Sequence, residues 1–319
     1  MIDPNVSVRT DLAIECVPTH SSPAGVEITK DEFEGGMISR VTVQNERGAQ
    51  AVGKPPGTYI TIECPGLRDG DPALRHLVSQ TVAAELQQLM PRKNKAVRTT
   101  LVVGLGNWNV TPDALGPKVI QELLVTRHLL EYSPEAADEG IQSVCAIAPG
   151  VLGITGMETG EIINGVVEKV KPDLVIAVDA LASRSVERVG TTIQMADTGI
   201  NPGSGVGNKR KALSQATLGV PVIAIGVPTV VYASTIAQDT LDAVVNTLGK
   251  QLSTDELLRL GQAERNALVN NVLAPHLGGL VVTPKEIDAI IEDMAKVIAG
   301  SLNVALHPEL DLEDTLYYL

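Results

Sequence analysis

A three-layer α/β architecture, with a mostly parallel central sheet flanked by helices, follows from three features of the 319-residue chain. Aromatic residues make up 2% and hydrophobic residues 44%, so the core is aliphatic, and Val, Ile and Ala with 29 Gly suit strands covered on both faces. From residue 101 onward short aliphatic runs alternate with helix-periodic segments, which implies right-handed βαβ crossovers. Two of the runs, Leu101-Val-Val-Gly and Leu174-Val-Ile-Ala-Val, lead to an aspartate at the carboxyl edge, where open parallel sheets collect ligands and chemistry.

Taken in order, residues 1 to about 35 are polar, broken by Pro4, Pro18 and Pro23, and read as an arm outside the core. Residues 38–43 and 57–63 alternate as half-buried strands do, with Lys54-Pro-Pro-Gly57 as a turn between them. A helix over 72–89 carries Leu74, Leu77, Val78, Val82 and Leu86 on one face, and Pro91 stops it before a basic connector, 92–98. Strand 101–105, helix 117–130 with Pro117 first, strand 143–148, helix 158–170 and strand 173–179 follow. Strands 190–195 and 220–226 and helix 234–251 come next. Thr155-Gly-Met-Glu158, Ser253-Thr-Asp-Glu256 and Thr283-Pro-Lys-Glu286 read as capping boxes, and helices 254–271 and 284–299 close the fold. The tail from Leu302 turns acidic and then apolar, and no internal repeat appears.

A formal charge of −13 argues against direct nucleic-acid binding and against adhesion to an anionic membrane, because phosphates are repelled. The uncharged stretch 212–238 is interrupted by Pro221, Gly226 and Pro228 and reads as a buried strand and loop, not a membrane span. Met1-Ile-Asp-Pro-Asn lacks the basic and apolar regions of a secretory signal. Cys16, Cys64 and Cys145 are odd in number and widely spaced, as expected of reduced thiols in a cytoplasmic protein.

Several short patterns invite chemistry. Gly104-Leu-Gly106-Asn after a strand suggests a dinucleotide turn, but the third glycine is missing and no acidic residue closes the next strand, so a turn shaping a catalytic loop is the better reading. Gly203-Ser-Gly-Val-Gly-Asn-Lys-Arg-Lys211 fails the phosphate-loop spacing and reads as a cationic flap. Asp197-Thr-Gly199 matches the pepsin signature by coincidence, since it occurs once in an α/β chain; Asp197 still follows a strand and is placed at the cleft. The five histidines show no metal-ligand spacing, and no G-x-S-x-G elbow is present. Asp113, in the loop after strand 101–105, and Asp179 remain. Adjacent parallel strands would deliver both to one edge. Carboxylates within about 3–6 Å do not both ionise easily and hold a shared proton. One oxygen then takes a proton from water while the other carboxyl donates to an amide, a sufficient set for peptide hydrolysis. A divalent ion held by Asp113 and Asp179 is one alternative, and a non-catalytic, small-molecule-binding α/β module using the Gly104 turn is the other.

The chain resembles the germination proteases of spore-forming bacteria, endopeptidases that degrade small acid-soluble spore proteins. The likeness rests on Val8-Arg-Thr-Asp-Leu-Ala-Ile-Glu15, Gly53-Lys-Pro-Pro-Gly-Thr-Tyr59, Gly104-Leu-Gly-Asn, Pro149-Gly-Val, Gly156-Met-Glu-Thr-Gly-Glu161, Lys171-Pro-Asp-Leu-Val-Ile-Ala-Val-Asp-Ala-Leu181 and Ala196-Asp-Thr-Gly-Ile-Asn-Pro-Gly-Ser-Gly-Val-Gly-Asn208. It implies an atypical aspartic protease with Asp113 and Asp179 as the essential pair, no cofactor, and a fold similar to the hydrogenase maturation proteases, of phosphorylase/hydrolase-like type. An older classification of the family as a metalloenzyme keeps the divalent ion open. The resemblance further implies a self-processing homotetrameric zymogen, acting in the developing spore and spore core. Its propeptide is residues 1–11, cut at Asp11-Leu12, and 12–319 form one protease domain. Cleavage after an acidic residue requires a cationic subsite, for which Arg184, Lys209 and Arg210 are the candidates.

Overall fold

The structure, a computed structural model, describes residues 10–17, 23–91, 98–133, 135, 140–201, 212–248 and 279–310. A short helix α1 (Ala13–Cys16) precedes the hairpin of β1 (Val26–Phe33) and β2 (Gly36–Val43). Helix α2 (Glu46–Val52) leads to β3 (Gly57–Glu63), and α3 (Pro72–Leu89) precedes β4 (Thr99–Gly104). Then come α4 (Leu115–Gln121), α5 (Arg127–Tyr132), β5 (Ser143–Ile147), α6 (Leu152–Thr155), α7 (Thr159–Val170) and β6 (Leu174–Ser183). They are followed by β7 (Thr192–Ala196), α8 (Gln215–Leu218), β8 (Val222–Tyr232), α9 (Ala233–Leu248), β9 (Val281–Val282) and α10 (Ile287–Leu306).

The sheet runs β1-β2-β3-β7-β8-β6-β4-β5, with β9 on β8. Among the described residues only β5, β4, β6 and β8 pair in parallel, and the other strand pairings are antiparallel. The expectation of a mostly parallel sheet is therefore corrected to a mixed one. The cause lies between β6 and β7, whose connection holds only a 3-10 turn, Val186–Arg188. A parallel crossover needs a dozen or more residues, so β7 returns antiparallel and pairs with β8, and β3, β2 and β1 continue outward from it.

Both faces of the sheet are covered, as the aliphatic composition requires. On one face α3, α4 and α10 bury Val78, Val82, Leu86, Val119, Ile291 and Ile298 against strand residues such as Val102, Ile176, Val178 and Ile225. On the other, Ile163 and Val167 of α7 meet Leu101, Val103, Val175 and Ala177. Neighbouring residues of β4 thus point into different cores, the period-two alternation of a strand covered on both sides. A third cluster joins Ala13 of α1 to Val26, Val41, Val43 and Tyr59.

Other expectations shift in detail. The arm read over residues 1 to about 35 contains α1 and β1; β1 is an edge strand whose Thr29 to Glu32 are exposed, so its charges hid its strand character. Helix 117–130 divides into α4 and α5, and the buried Thr126 at the break donates to the Gln142 carbonyl. Thr155 closes a turn by accepting from Met157 N at 3.2 Å instead of capping α7, which starts at Thr159 after Glu158. Thr283 donates to the Thr229 carbonyl at 2.8 Å, and α10 begins only at Ile287. The uncharged stretch 212–238 includes β8, a buried interior strand, and no helix among the described residues is long and apolar enough to cross a membrane. The capping box at Ser253, helix 254–271, the segment 311–319 and the flap with Lys209 and Arg210 lie outside the described residues.

Candidate active site

The site forms where two neighbouring parallel strands end at different heights. β4 accompanies β6 as far as the pair Gly104↔Val178, and Leu105 N makes a last bond to the Val178 carbonyl at 2.8 Å. The chain then turns away. Beyond that point β6 continues through Asp179 to Ser183, paired with β8 on one side and released by β4 on the other. A register shift at Leu181/Ala182 kinks the ladder with β8 there, a common device beside active sites.

The glycines of Gly104-Leu-Gly106 serve close packing. A Cβ on Gly104 would overlap the Gly116 carbonyl, so these two glycines let α4 approach β4. Gly106 has φ 118°, and a Cβ there would overlap the Asp113 carbonyl oxygen. That carbonyl accepts from Asn107 N at 2.9 Å, and Asp113 N donates to the Val110 carbonyl at 2.8 Å. Asp113 therefore ends a 3-10 turn, Thr111–Asp113, packed against β6, β8 and α10. The helix starts at Leu115, two residues before the expected Pro117, and the proline is tolerated in its first turn.

Asp113 and Asp179 line one cavity of about 260 Å³, together with Asp11, Pro112, Asn201 and Thr229. Asp179 is 6% exposed and its Oδ1 accepts from Ala180 N at 2.9 Å, whereas Asp113 is half-buried. The described residues contain no group of three or more His, Cys, Asp or Glu arranged to hold a metal ion. Asp11 also lines a second cavity of about 440 Å³, shared with Lys54, Tyr59, Gln194 and Ser214. Burial pushes the Tyr59 hydroxyl up to about 12, and it donates to the Pro55 carbonyl at 2.8 Å.

The segment 10–16 is seated in this cleft. Asp11 N donates to the Ala182 carbonyl at 2.9 Å, and Ala182 N donates to Asp11 Oδ2 at 2.8 Å, on the edge of β6 that β4 has left. The Asp11 carbonyl accepts from Lys54 Nζ at 2.9 Å and Gln194 Nε2 at 3.0 Å, while Gln194 Oε1 accepts from Ala13 N at 2.6 Å. Leu12 and Ala13 are fully buried. The buried Glu15 carboxylate anchors the far end, accepting from Arg184 N at 2.7 Å, Ser185 N at 3.2 Å, Arg188 Nη1 at 2.9 Å and the Thr10 hydroxyl.

Of the candidate subsite residues, Arg184 holds Asp239 of α9 at 3.1 Å and meets the segment 10–16 through its backbone N, which donates to Glu15. Asp197 accepts from Thr58 N at 2.8 Å, tying β7 to β3, while its neighbours Thr198 and Gly199 wall the larger cavity. Cys16, Cys64 and Cys145 are free thiols that burial pushes up, so each is held protonated instead of becoming a thiolate nucleophile. Sequence reasoning missed Lys54, Gln194, Glu15 and Arg188 as cleft residues. A glutamine inside the apolar run Thr192-Ile-Gln-Met-Ala196 was the one local signal, since a buried amide in a strand needs partners.

A family model described as germination protease matches residues 13–259 and 256–319. The chain is similar to the germination protease of Clostridium acetobutylicum, 49% identical over 324 residues that cover 98% of this chain and 99% of that protein. It is 51% identical to that of Caldanaerobacter subterraneus subsp. tengcongensis over 312 residues, 96% of each chain. With that of Bacillus cereus it shares 45% identity over 356 residues, 98% of this chain and 97% of that one. Matches of this extent take in the sheet and the positions of the two aspartates, and the chain, a peptidase, belongs to the germination protease family.

Proposed function

We propose that this chain is the zymogen of an endopeptidase that begins the degradation of small acid-soluble spore proteins at germination, with Asp113 and Asp179 activating water. The observation that carries the reading is that Asp11 walls the same 260 Å³ cavity as both aspartates while its backbone is docked on β6. The Asp11-Leu12 peptide is then the chain's own first substrate, and 1–11 its propeptide. One carboxylate takes a proton from water, the hydroxide adds to the carbonyl carbon, and the other carboxyl delivers a proton to the leaving amide nitrogen. Until that cut the segment fills the cleft and excludes other peptides. Arg184, Lys209, Arg210 and Asp197 are kept as subsite candidates. The resemblance also supports a hydrogenase-maturation-like fold, a homotetramer and a place in the cytoplasm of the developing spore and spore core.

Replacing Asp113 and Asp179 by Asn separately tests the pair. Each variant should lose self-cleavage at Asp11-Leu12 and hydrolysis of a spore-protein peptide by at least about 10³-fold. Wild-type rates in either variant would remove the pair. The same assays run in chelator decide between the readings of the two carboxylates: activity that persists favours the metal-free pair, and activity lost to chelator and restored by a divalent ion favours a metal held by them. Light scattering of the purified protein checks the tetramer, for which a monomer mass is the contrary result.

A further inference from the structure

We infer that Lys54 and Gln194 form an oxyanion-stabilising pair for the peptide carbonyl of the residue before the cut, a role that rests on the proposed cleavage at Asp11-Leu12. Two donors converge on one oxygen, the Asp11 carbonyl: the Lys54 ammonium at 2.9 Å and the Gln194 amide at 3.0 Å. One of the two donors is a cation, and charge-assisted bonds are roughly twice as strong as neutral ones.

Position supports the same role. Asp11 lines both cavities, as do Leu181, Ile200 and Asn201, with Asp113 and Asp179 around the smaller and Lys54 and Gln194 around the larger, so the segment lies where the two cavities meet. Each donor is itself held by structure. Gln194 belongs to β7 and is buried, with its other amide atom engaged by Ala13 N. Lys54 sits in a proline-stiffened turn that the Tyr59 hydroxyl ties down through the Pro55 carbonyl.

The step balances without a further reagent. Hydroxide from water bonds to the Asp11 carbonyl carbon, the carbonyl π-electrons move onto oxygen facing Lys54 and Gln194, and the water proton passes to the carboxylate pair. On collapse the C–N bond breaks and a proton from the pair goes to the Leu12 nitrogen, leaving a carboxylate and an amine. Charge grows on that oxygen only in the transition state, so the two donors act on the chemical step more than on seating.

Self-cleavage of the full chain reads this directly, because the segment is already bound. Lys54→Met should slow the first-order appearance of the Leu12 amino terminus by about 10²–10³-fold, the cost of one lost oxyanion donor. Lys54→Arg should recover part of the rate, and Gln194→Ala should slow it as well. Hydrogen exchange of the Leu12 and Ala13 amides, followed in parallel, should stay protected in Lys54→Met. A wild-type rate in Lys54→Met, or a slow rate accompanied by full loss of that protection, overturns the proposal, the second outcome reducing Lys54 to a holder of the segment. The underlying reading fails separately: wild-type protein cut at a bond other than Asp11-Leu12, or Asp113→Asn cut at the normal rate, removes it whatever Lys54 does.

Discussion

Gly106 shows how one residue sets the chemistry. Its φ of 118° and the absence of a Cβ let the loop after β4 fold back so that Asn107 N can reach the Asp113 carbonyl. Gly106→Ala would force the two backbones apart. We expect a loss of more than about 1 kcal/mol in urea unfolding, and a fall in peptide hydrolysis of about 10²-fold, the usual result of a displacement near 1 Å. The positions of the two aspartates were legible because each comes after an aliphatic run of strand type, at the edge of the sheet where open parallel sheets collect ligands. Lys54 was not, and Gln194 showed only as an amide inside an apolar run, because their shared partner, a backbone carbonyl at residue 11, leaves no trace in residue type.

At the level of elements, the site is made by β6 outlasting β4. The open edge of β6 accepts an extended segment, and α1 then locks it. Glu15 is the bolt, since its buried carboxylate joins α1 to the turn after β6 through Arg188 and two backbone amides. Arg188 is partly exposed and keeps Glu63, so removing Glu15 falls mainly on the two backbone amides left without an acceptor, at about 1–3 kcal/mol each. Glu15→Ala should therefore release the segment and raise the labelling rate of Cys16, whose sulfur now bonds back to the Leu12 carbonyl at 3.4 Å, by more than about tenfold relative to wild type. An unchanged rate would mean that Leu12 and Ala13 hold the segment alone. Strand and helix existence was largely readable here, as the bounds of α3 illustrate. The helix at Thr155 and the α4–α5 break were not, because Thr155, Thr126 and Thr283 use their hydroxyls on backbone groups that tertiary folding brings to them.

For the molecule as a whole, stability should depend on acid through His307. This residue is fully buried after α10, its Nδ1 accepts from Gln142 N at 3.2 Å, and burial pushes its pKa from 6.5 down to about 4. Because the folded value is depressed, the contribution is complete above pH 6.5 and is lost as pH falls towards 4, where the unfolded chain binds a proton that the folded one resists. The full loss amounts to about 3 kcal/mol. Urea midpoints at pH 7 and pH 4.5 should differ by less in His307→Gln than in the wild type; an equal difference would assign the acid sensitivity to other groups.

Composition, aliphatic periodicity and the glycine-to-aspartate turn were enough to establish an α/β fold with two carboxylates after neighbouring strands, because such patterns are local and a strand buried on both faces admits little else. Strand direction across β7, the seating of residues 10–16 on the β6 edge and the convergence of Lys54 and Gln194 on one carbonyl came only from the folded chain. Those contacts join residues far apart in sequence, and their partners are backbone atoms that every residue carries alike, so nothing in the order of side chains distinguishes them.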